Sequence, residues 1–309
     1  MSMSRPKPSD ISVVIQGPIL PFAKNPVQST AAFIRKTRQV LPGAEIVVST
    51  WKGADLENVE ADRVLLNDDP GDSRRILGGK LVACSNINRH LVSAGAGIKA
   101  AARPFCIKLR SDSWLAGTGF IDQWHSYPAR NPEFAFFQQR IVLPTAISLN
   151  PDRGDKRLFH LSDLFYFGLS EDLQQFWNGI PLFKDPLPET DEWDYDANQL
   201  RFLAVEQYIL IHALKDKFKI SYQDLKDSTP ENRQLFEALA ANNFVMAKPS
   251  ALGVAFAKWR FLPHETYDHY THGDWLRLYR QYCDPSLPVS TDWDLLIKQV
   301  LHKLLRLKR

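Results

Sequence analysis

The chain has 309 residues, enough for one large domain with a substantial core. Its 38 basic and 35 acidic side chains leave a formal net charge of +3, which argues against a dedicated nucleic-acid binder. Three scattered cysteines, Cys84, Cys106 and Cys283, form no CxxC pair and suit a reducing compartment, so a cytoplasmic protein is expected. The polar start lacks the apolar stretch of a signal peptide, and no apolar run approaches the ~20 residues that span a bilayer.

Residues 1–10 read as a disordered or linker-like start. Ile11–Gln16 is β-branched and apolar, a first strand closed by Gly17-Pro18. Asn25 followed by Pro26 marks a helix start, and the helix runs to about Val40 with Val27, Ala31, Ile34 and Leu41 on one face. Glu45–Ser49 and Arg63–Leu66 are further strands, and Asn67-Asp68-Asp69-Pro70-Gly71 is a turn. Lys80–Ala102 reads as one long helix, since Leu81, Cys84, Ile87, Leu91 and Ala94 recur at helical spacing, with Gly95 and Gly97 weakening its later part.

Phe105–Leu115 (FCIKLRSDSWL) then begins as a buried strand and ends abruptly in Arg110-Ser111-Asp112-Ser113. Strand and helix alternate over these first 115 residues, which predicts a mainly parallel α/β sheet. In such sheets ligands bind beyond the carboxyl ends of the strands, so Asp112 is expected in the crevice. Read as a residue alone, Asp112 holds a divalent cation, caps the following turn or simply pairs with Arg110.

The second half is less regular. Phe134–Phe137, Ile141–Leu143 and Leu161–Phe167 are expected strands. A helix follows over Ser170–Trp177 with Ser170 as cap, then a Pro- and acid-rich loop over 179–198 and a helix over Leu200–Phe218. The last 17 residues form an amphipathic basic helix: Trp293, Leu296, Ile297, Val300, Leu301, Leu304 and Leu305 oppose Lys298, Lys303, Arg306, Lys308 and Arg309. Such a helix either docks on the core or lies on an anionic membrane surface.

Other candidates each carry a plainer alternative. Gln16-Gly17-Pro18 is a tight turn or a close approach to a ligand. Arg89 lies on a polar helix face with Asn86, Asn88 and Lys99, and reaches a phosphate or only solvent. Asp163, beside His160 in an aromatic segment, is catalytic or a satisfied structural carboxylate. Glu206 lies among apolar neighbours, where burial would raise its pKa and suit a general base. Around His264, Glu265, Asp268, His269 and His272, the HExxxH spacing fails the HExxH zinc motif, leaving one His to complete a cation site with Asp112 or to pack.

Taken in order, VVIQGP (Val13–Pro18), LPGAEIVVSTWKG (Leu41–Gly53), the NxNR element at Asn86–Arg89, GIKAA (Gly97–Ala101), IKLRSD (Ile107–Asp112), LSDLFYFG (Leu161–Gly168) and VEQYI (Val205–Ile209) resemble the WavE lipopolysaccharide synthesis family. The resemblance spans about residues 11–280 and leaves the tail from about Thr291 outside. It implies a GT-A-like glycosyltransferase fold, a mainly parallel Rossmann-type sheet flanked by helices. Residues 11–115 form the nucleotide-binding half, 116–280 the acceptor half and 281–309 a helical C-terminal extension. The implied reaction moves a sugar from a nucleotide-sugar donor onto a lipid-linked or oligosaccharide acceptor, a lipopolysaccharide core or capsule intermediate.

Donor binding would fall to Gln16, Gly17, Pro18, Trp51, Arg89, Arg110 and Asp112, with Asp163 and Glu206 as catalytic carboxylates. The resemblance further implies an Asp-x-Asp motif holding Mn²⁺ or Mg²⁺, yet the matching stretch is Arg110-Ser111-Asp112, without the first Asp. Either Asp112 and a distant histidine such as His269 carry the ion, or Arg110 and other cations neutralise the diphosphate without it. A metal-dependent phosphoesterase and a non-catalytic carbohydrate-binding protein are the alternative classes.

Overall fold

The computed structural model describes residues 4–77, 80–154, 156–183, 204–221, 227–258 and 266–306. Its centre is a seven-stranded sheet built from β1 (Ile11–Gln16), β2 (Glu45–Trp51), β3 (Arg63–Asn67), β6 (Phe105–Arg110), β8 (Ile141–Pro144), β9 (Phe165–Leu169) and β10 (Phe244–Ala247). The spatial order is β10-β8-β9-β6-β1-β2-β3. The β1/β2, β2/β3, β1/β6 and β8/β10 pairs are parallel, and β9 runs against both β6 and β8. This is the mostly parallel, Rossmann-like architecture expected of a GT-A-like chain.

From β1 the chain steps outward to β2 and β3, then returns to place β6 on the other side of β1. The β1/β6 junction is therefore a topological switch point, where loops diverge and leave a crevice at the strands' carboxyl ends.

Two two-stranded antiparallel sheets accompany it: the hairpin of β4 (Ser73–Leu77) with β5 (Lys80–Ser85), and the long-range pair of β7 (Ser113–Leu115) with β11 (Val254–Phe256). The helices are α1 (Thr30–Val40), α2 (Ile87–Ala100), α3 (Gly119–His125), α4 (Ser170–Trp177), α5 (Val205–Phe218), α6 (Pro230–Asn243), α7 (Pro249–Leu252), α8 (His272–Tyr282) and α9 (Trp293–Arg306).

Alternation along β6 and β9 sets the two faces of the sheet. Phe105 meets Trp124 of α3, and Phe165 and Phe167 meet Phe120. On the other face Lys108 pairs with Tyr166, beneath Trp177 of α4. Helix α2 crosses β1, β2, β3 and β6 on that face. It comes close because of Gly97: a Cβ there would lie 2.3 Å from Cγ1 of Val14.

Several sequence expectations are corrected. Lys80–Ala102 is not one helix: residues 80–85 are strand β5, and only Ile87–Ala100 is helical. Phe134–Phe137 is not a strand; Pro132–Phe134 is a short 3-10 turn. Of the expected Leu161–Phe167 strand only Phe165–Phe167 is paired in the sheet, and the strand runs on to Leu169. Ser170 begins α4 but does not cap it, its hydroxyl donating to the Arg103 carbonyl. Asn25 caps a 3-10 turn, Pro26–Gln28, and Ser29 caps α1; Val27 is exposed while Ala31, Ile34 and Leu41 are buried. Within the expected linker, Pro8–Asp10 form a 3-10 turn and Arg5 pairs with Asp122. Most of the 179–198 loop, residues 200–203 of the expected Leu200 helix, His264, Glu265, Lys308 and Arg309 lie outside the described residues.

Candidate functional site: a cleft at the switch point

A cleft of about 430 Å³ opens where β1 and β6 end. Gln16, Gly17, Pro18 and Leu20 line it from the β1 end, Trp51 from the β2 end, and Arg110, Ser111 and Asp112 from the β6 end. Asp69 comes from the loop after β3, and Asn86, Arg89, His90 and Ser93 from the start of α2. All seven residues expected at a donor site thus line one cleft. Asp69, His90 and Ser93 were not among them.

The floor is held by short polar contacts. Gly17 has φ +113°, a conformation that favours glycine, and a Cβ there would meet Ser111 Oγ at 3.3 Å. The Ser111 hydroxyl donates to the Pro18 carbonyl (2.6 Å), and its N–H to the Gln16 carbonyl (2.9 Å). The buried Gln16 side chain accepts from Ser93 Oγ (2.7 Å), which ties β1 to α2.

Two arginine–aspartate forks line the cleft. Arg110 Nε and a terminal guanidinium nitrogen donate to the two Asp112 oxygens at 2.9 and 2.8 Å. Arg89 does the same to Asp69 at 2.7 and 2.8 Å. Burial alone would raise the Asp112 carboxyl, but the Arg110 fork outweighs it and holds it below the ordinary range. For Asp69 the Arg89 hydrogen bond dominates and lowers it. Asp112 is therefore on the cleft wall and paired with Arg110, not a bare carboxylate.

Behind the wall lies a buried polar cluster. Asp163 precedes β9, and because β9 is reversed, its start lies at the same sheet edge as the end of β6. A carboxylate at the beginning of β9 thus stands at the same end of the sheet as the cleft. Asp163 Oδ2 is 3.3 Å from His90 Nδ1, and its backbone carbonyl accepts from Lys108 Nζ. Burial opposes ionisation of Asp163, but the facing His90, Lys108 and Arg110 outweigh it and keep its carboxyl below the usual range. Burial brings Lys108 down to about 8, so the ammonium is mostly charged at neutral pH.

Glu206, at the start of α5, has its Oε2 3.4 Å from His160 Nε2, while His160 Nδ1 lies 3.1 Å from the Ile147 carbonyl. Burial, then the Asp163 charge, push Glu206 up to about 8; burial, then Arg157, push His160 down to about 4. A protonated Glu206 beside a neutral imidazole is the stable arrangement at pH 7. Neither Asp163 nor Glu206 lines the cleft; Asp163 stands behind His90 and Arg110, which do.

The donor set suits guanidinium better than a divalent ion. Both cleft aspartates have each oxygen engaged by an arginine. His269 is not on the cleft; it sits in a bridge with Leu149, its Nδ1 3.3 Å from the Thr266 N–H. Among the described residues no three His, Cys, Asp or Glu side chains converge as metal ligands.

A mostly parallel sheet with a polar cleft at its switch point defines an α/β protein of Rossmann-like architecture. The chain belongs to the WavE lipopolysaccharide synthesis family, whose model matches residues 11–309. The match includes the tail that sequence reading had placed outside. No curated protein matches this sequence. The family places the chain in lipopolysaccharide synthesis.

Proposed function

We propose that the chain is a glycosyltransferase whose cleft holds the diphosphate of a nucleotide-sugar donor and passes the sugar to a lipopolysaccharide or capsule intermediate. The observation that carries this reading is the pair of guanidinium forks, Arg89 and Arg110, both lining one switch-point cleft. A diphosphate presents the same paired oxygens as a carboxylate, so it can take the place of Asp69 and Asp112 without leaving either fork unsatisfied. As the bond to the sugar breaks, charge builds on the departing diphosphate, and two fixed guanidinium groups stabilise it there. Trp51 at the cleft edge offers a face for a base or sugar ring. In this reading arginine does the work of a divalent ion, and donor turnover persists in a chelator.

The test is calorimetric titration of the full chain with UDP and GDP, followed by donor consumption with a panel of UDP-, GDP- and dTDP-sugars and rough lipopolysaccharide as acceptor. Micromolar binding that weakens at least tenfold in Arg110→Ala is expected. Absence of binding to either diphosphate, together with no donor consumption, overturns the reading.

No helix among the described residues is long and apolar enough to cross a membrane. Helix α9 nevertheless exposes an apolar stripe: Trp293 is 72% exposed, Ile297 58%, Val300 57% and Leu301 53%. Its opposite face rests on the body, with Lys298 buried and Asp294 paired to Lys248 at 2.6 Å. The sequence adds Lys303, Arg306, Lys308 and Arg309. This combination suits an anionic lipid surface on the cytoplasmic side, where a lipid-linked acceptor would be met. Wild-type protein is expected to sediment with phosphatidylglycerol vesicles and Ile297→Glu/Leu301→Glu to stay in solution; equal sedimentation refutes this.

A further inference from the structure

His90 lies in the first turn of α2, between the cleft and the buried cluster. Its ring stacks on Trp177 at 5.4 Å, which fixes the ring plane. On one edge Nδ1 is 3.3 Å from Asp163 Oδ2. On the other edge Nε2 is buried and has no hydrogen-bond partner among the described residues. A buried polar atom without a partner is uncommon and costly, and here it belongs to a residue that lines a ligand cleft. The carboxylate facing Nδ1 holds the ring proton on that nitrogen, so Nε2 carries a lone pair. A hydroxyl entering the cleft is the group that would satisfy it.

We propose that His90 is the base that takes the proton of the attacking acceptor hydroxyl, and that Asp163 is its positioning residue. The proposal deepens the glycosyltransferase reading and rests on it. The hydroxyl oxygen forms its bond to the anomeric carbon and releases its proton to His90 Nε2. The bond from that carbon to the diphosphate oxygen breaks, its electron pair leaves with the diphosphate, and the added charge falls between Arg89 and Arg110. The imidazolium stands beside the Asp163 carboxylate until water removes its proton. A single displacement of this kind inverts the anomeric configuration.

The groups facing His90 are Asp163, Lys108 and Arg110, and the Trp177 ring covers it from α4. Burial, then the Lys108 charge, bring the empty-cleft imidazole down to about 3, which keeps it neutral and open at Nε2. A bound diphosphate brings negative charge beside it and opposes the Lys108 effect, so proton affinity rises when donor is in place. The ionised Asp163 carboxylate, held below its usual range by the groups that face it, keeps the imidazole in one tautomer.

His90→Gln and Asp163→Asn in the full chain test this. In His90→Gln, kcat for donor consumption is expected to fall by at least about 100-fold while the Kd for UDP or GDP stays within about threefold. Ring ¹⁵N shifts of His90 in the wild type are expected to show a neutral ring protonated at Nδ1 from pH 5 to 8, and Asp163→Asn to disturb that tautomer with a partial loss of kcat. A His90→Gln enzyme within threefold of wild-type kcat, or a wild-type ring protonated at Nε2, overturns the proposal even if Asp163→Asn fails to fold. A wild type that binds neither diphosphate and consumes no donor overturns the cleft reading and this inference with it.

Discussion

The charges at the cleft and the charges inside the body use the same side chains in opposite ways. At the cleft, Arg89 and Arg110 meet carboxylates that stand partly in solvent. Inside the second half, Arg140 is buried and spends its guanidinium on backbone: Nε donates to Ala241 (2.8 Å), and the terminal nitrogens to Tyr127 and Ala129 (2.6 Å each), with the Tyr279 ring 4.9 Å below. A carboxylate in a half-open fork can be exchanged for another anion. A backbone carbonyl cannot, because removing its donor leaves a desolvated acceptor. Arg89 and Arg110 thus have exchangeable partners, whereas Arg140 holds loops together.

The largest expected effect tests the structural side. Arg140→Met leaves three carbonyls without their donor, and a loss of about 3 kcal/mol or more in denaturant unfolding is expected. A loss below about 1 kcal/mol would mean that Arg140 is replaceable and the comparison is wrong.

Glu206 sharpens the picture by its pH dependence. Its carboxyl is raised from an ordinary 4.5 to about 8 in the folded chain. The folded state thus holds a proton that the unfolded state has already released, so this contribution is fully present below pH 4.5 and is lost as pH rises through 8. Glu206→Gln, which cannot ionise, is expected to gain on wild type with rising pH, by on the order of 4 kcal/mol at pH 8 and by almost nothing at pH 4. A difference constant across that range would place the Glu206 carboxyl outside the buried cluster.

The smallest effect on stability belongs to the cleft. Arg89→Ala is expected to change unfolding by no more than about 1 kcal/mol, as exposed ion pairs do. The same variant is expected to weaken UDP or GDP binding about tenfold, with the wild-type value falling as salt rises. Loss of stability as large as in Arg140→Met would make the Arg89–Asp69 fork structural.

The half of the molecule that alternates strand and helix was legible in the sequence, because β1, β2, β3 and β6 are near-continuous apolar runs with abrupt polar ends. The β4–β5 hairpin was not. Leu81, Cys84 and Ile87 fall at helical spacing by coincidence, since the first two belong to a strand and Ile87 opens α2. Phe134–Phe137 looked like a strand for its aromatics, but Asn243 takes the Phe136 N–H at 2.6 Å, and the segment pairs with a side chain instead of a neighbouring strand.

At the site, Asp69 was hidden inside a strong turn signal, and only Arg89, twenty residues on, gives it a cleft role. His90 was hidden by its neighbour Arg89. The signal that could have found it is an imidazole in the first turn of a helix that begins at the crevice edge. Its partner Asp163 is 73 positions away, and only the reversal of β9 brings the two together.

Arg89 and His90 ride at one end of α2, while Gly97, nearer the other end, sets how deeply that helix settles on Val14. Arg89 and Gly97 lie eight positions apart on the helix, a rigid arm of about 12 Å. A single methyl added at position 97 would act as a wedge under that arm and swing both side chains relative to β1. The geometry of the cleft can thus be tuned from a residue that never touches a ligand, which makes this glycine a natural pivot for adjusting grip and chemistry together.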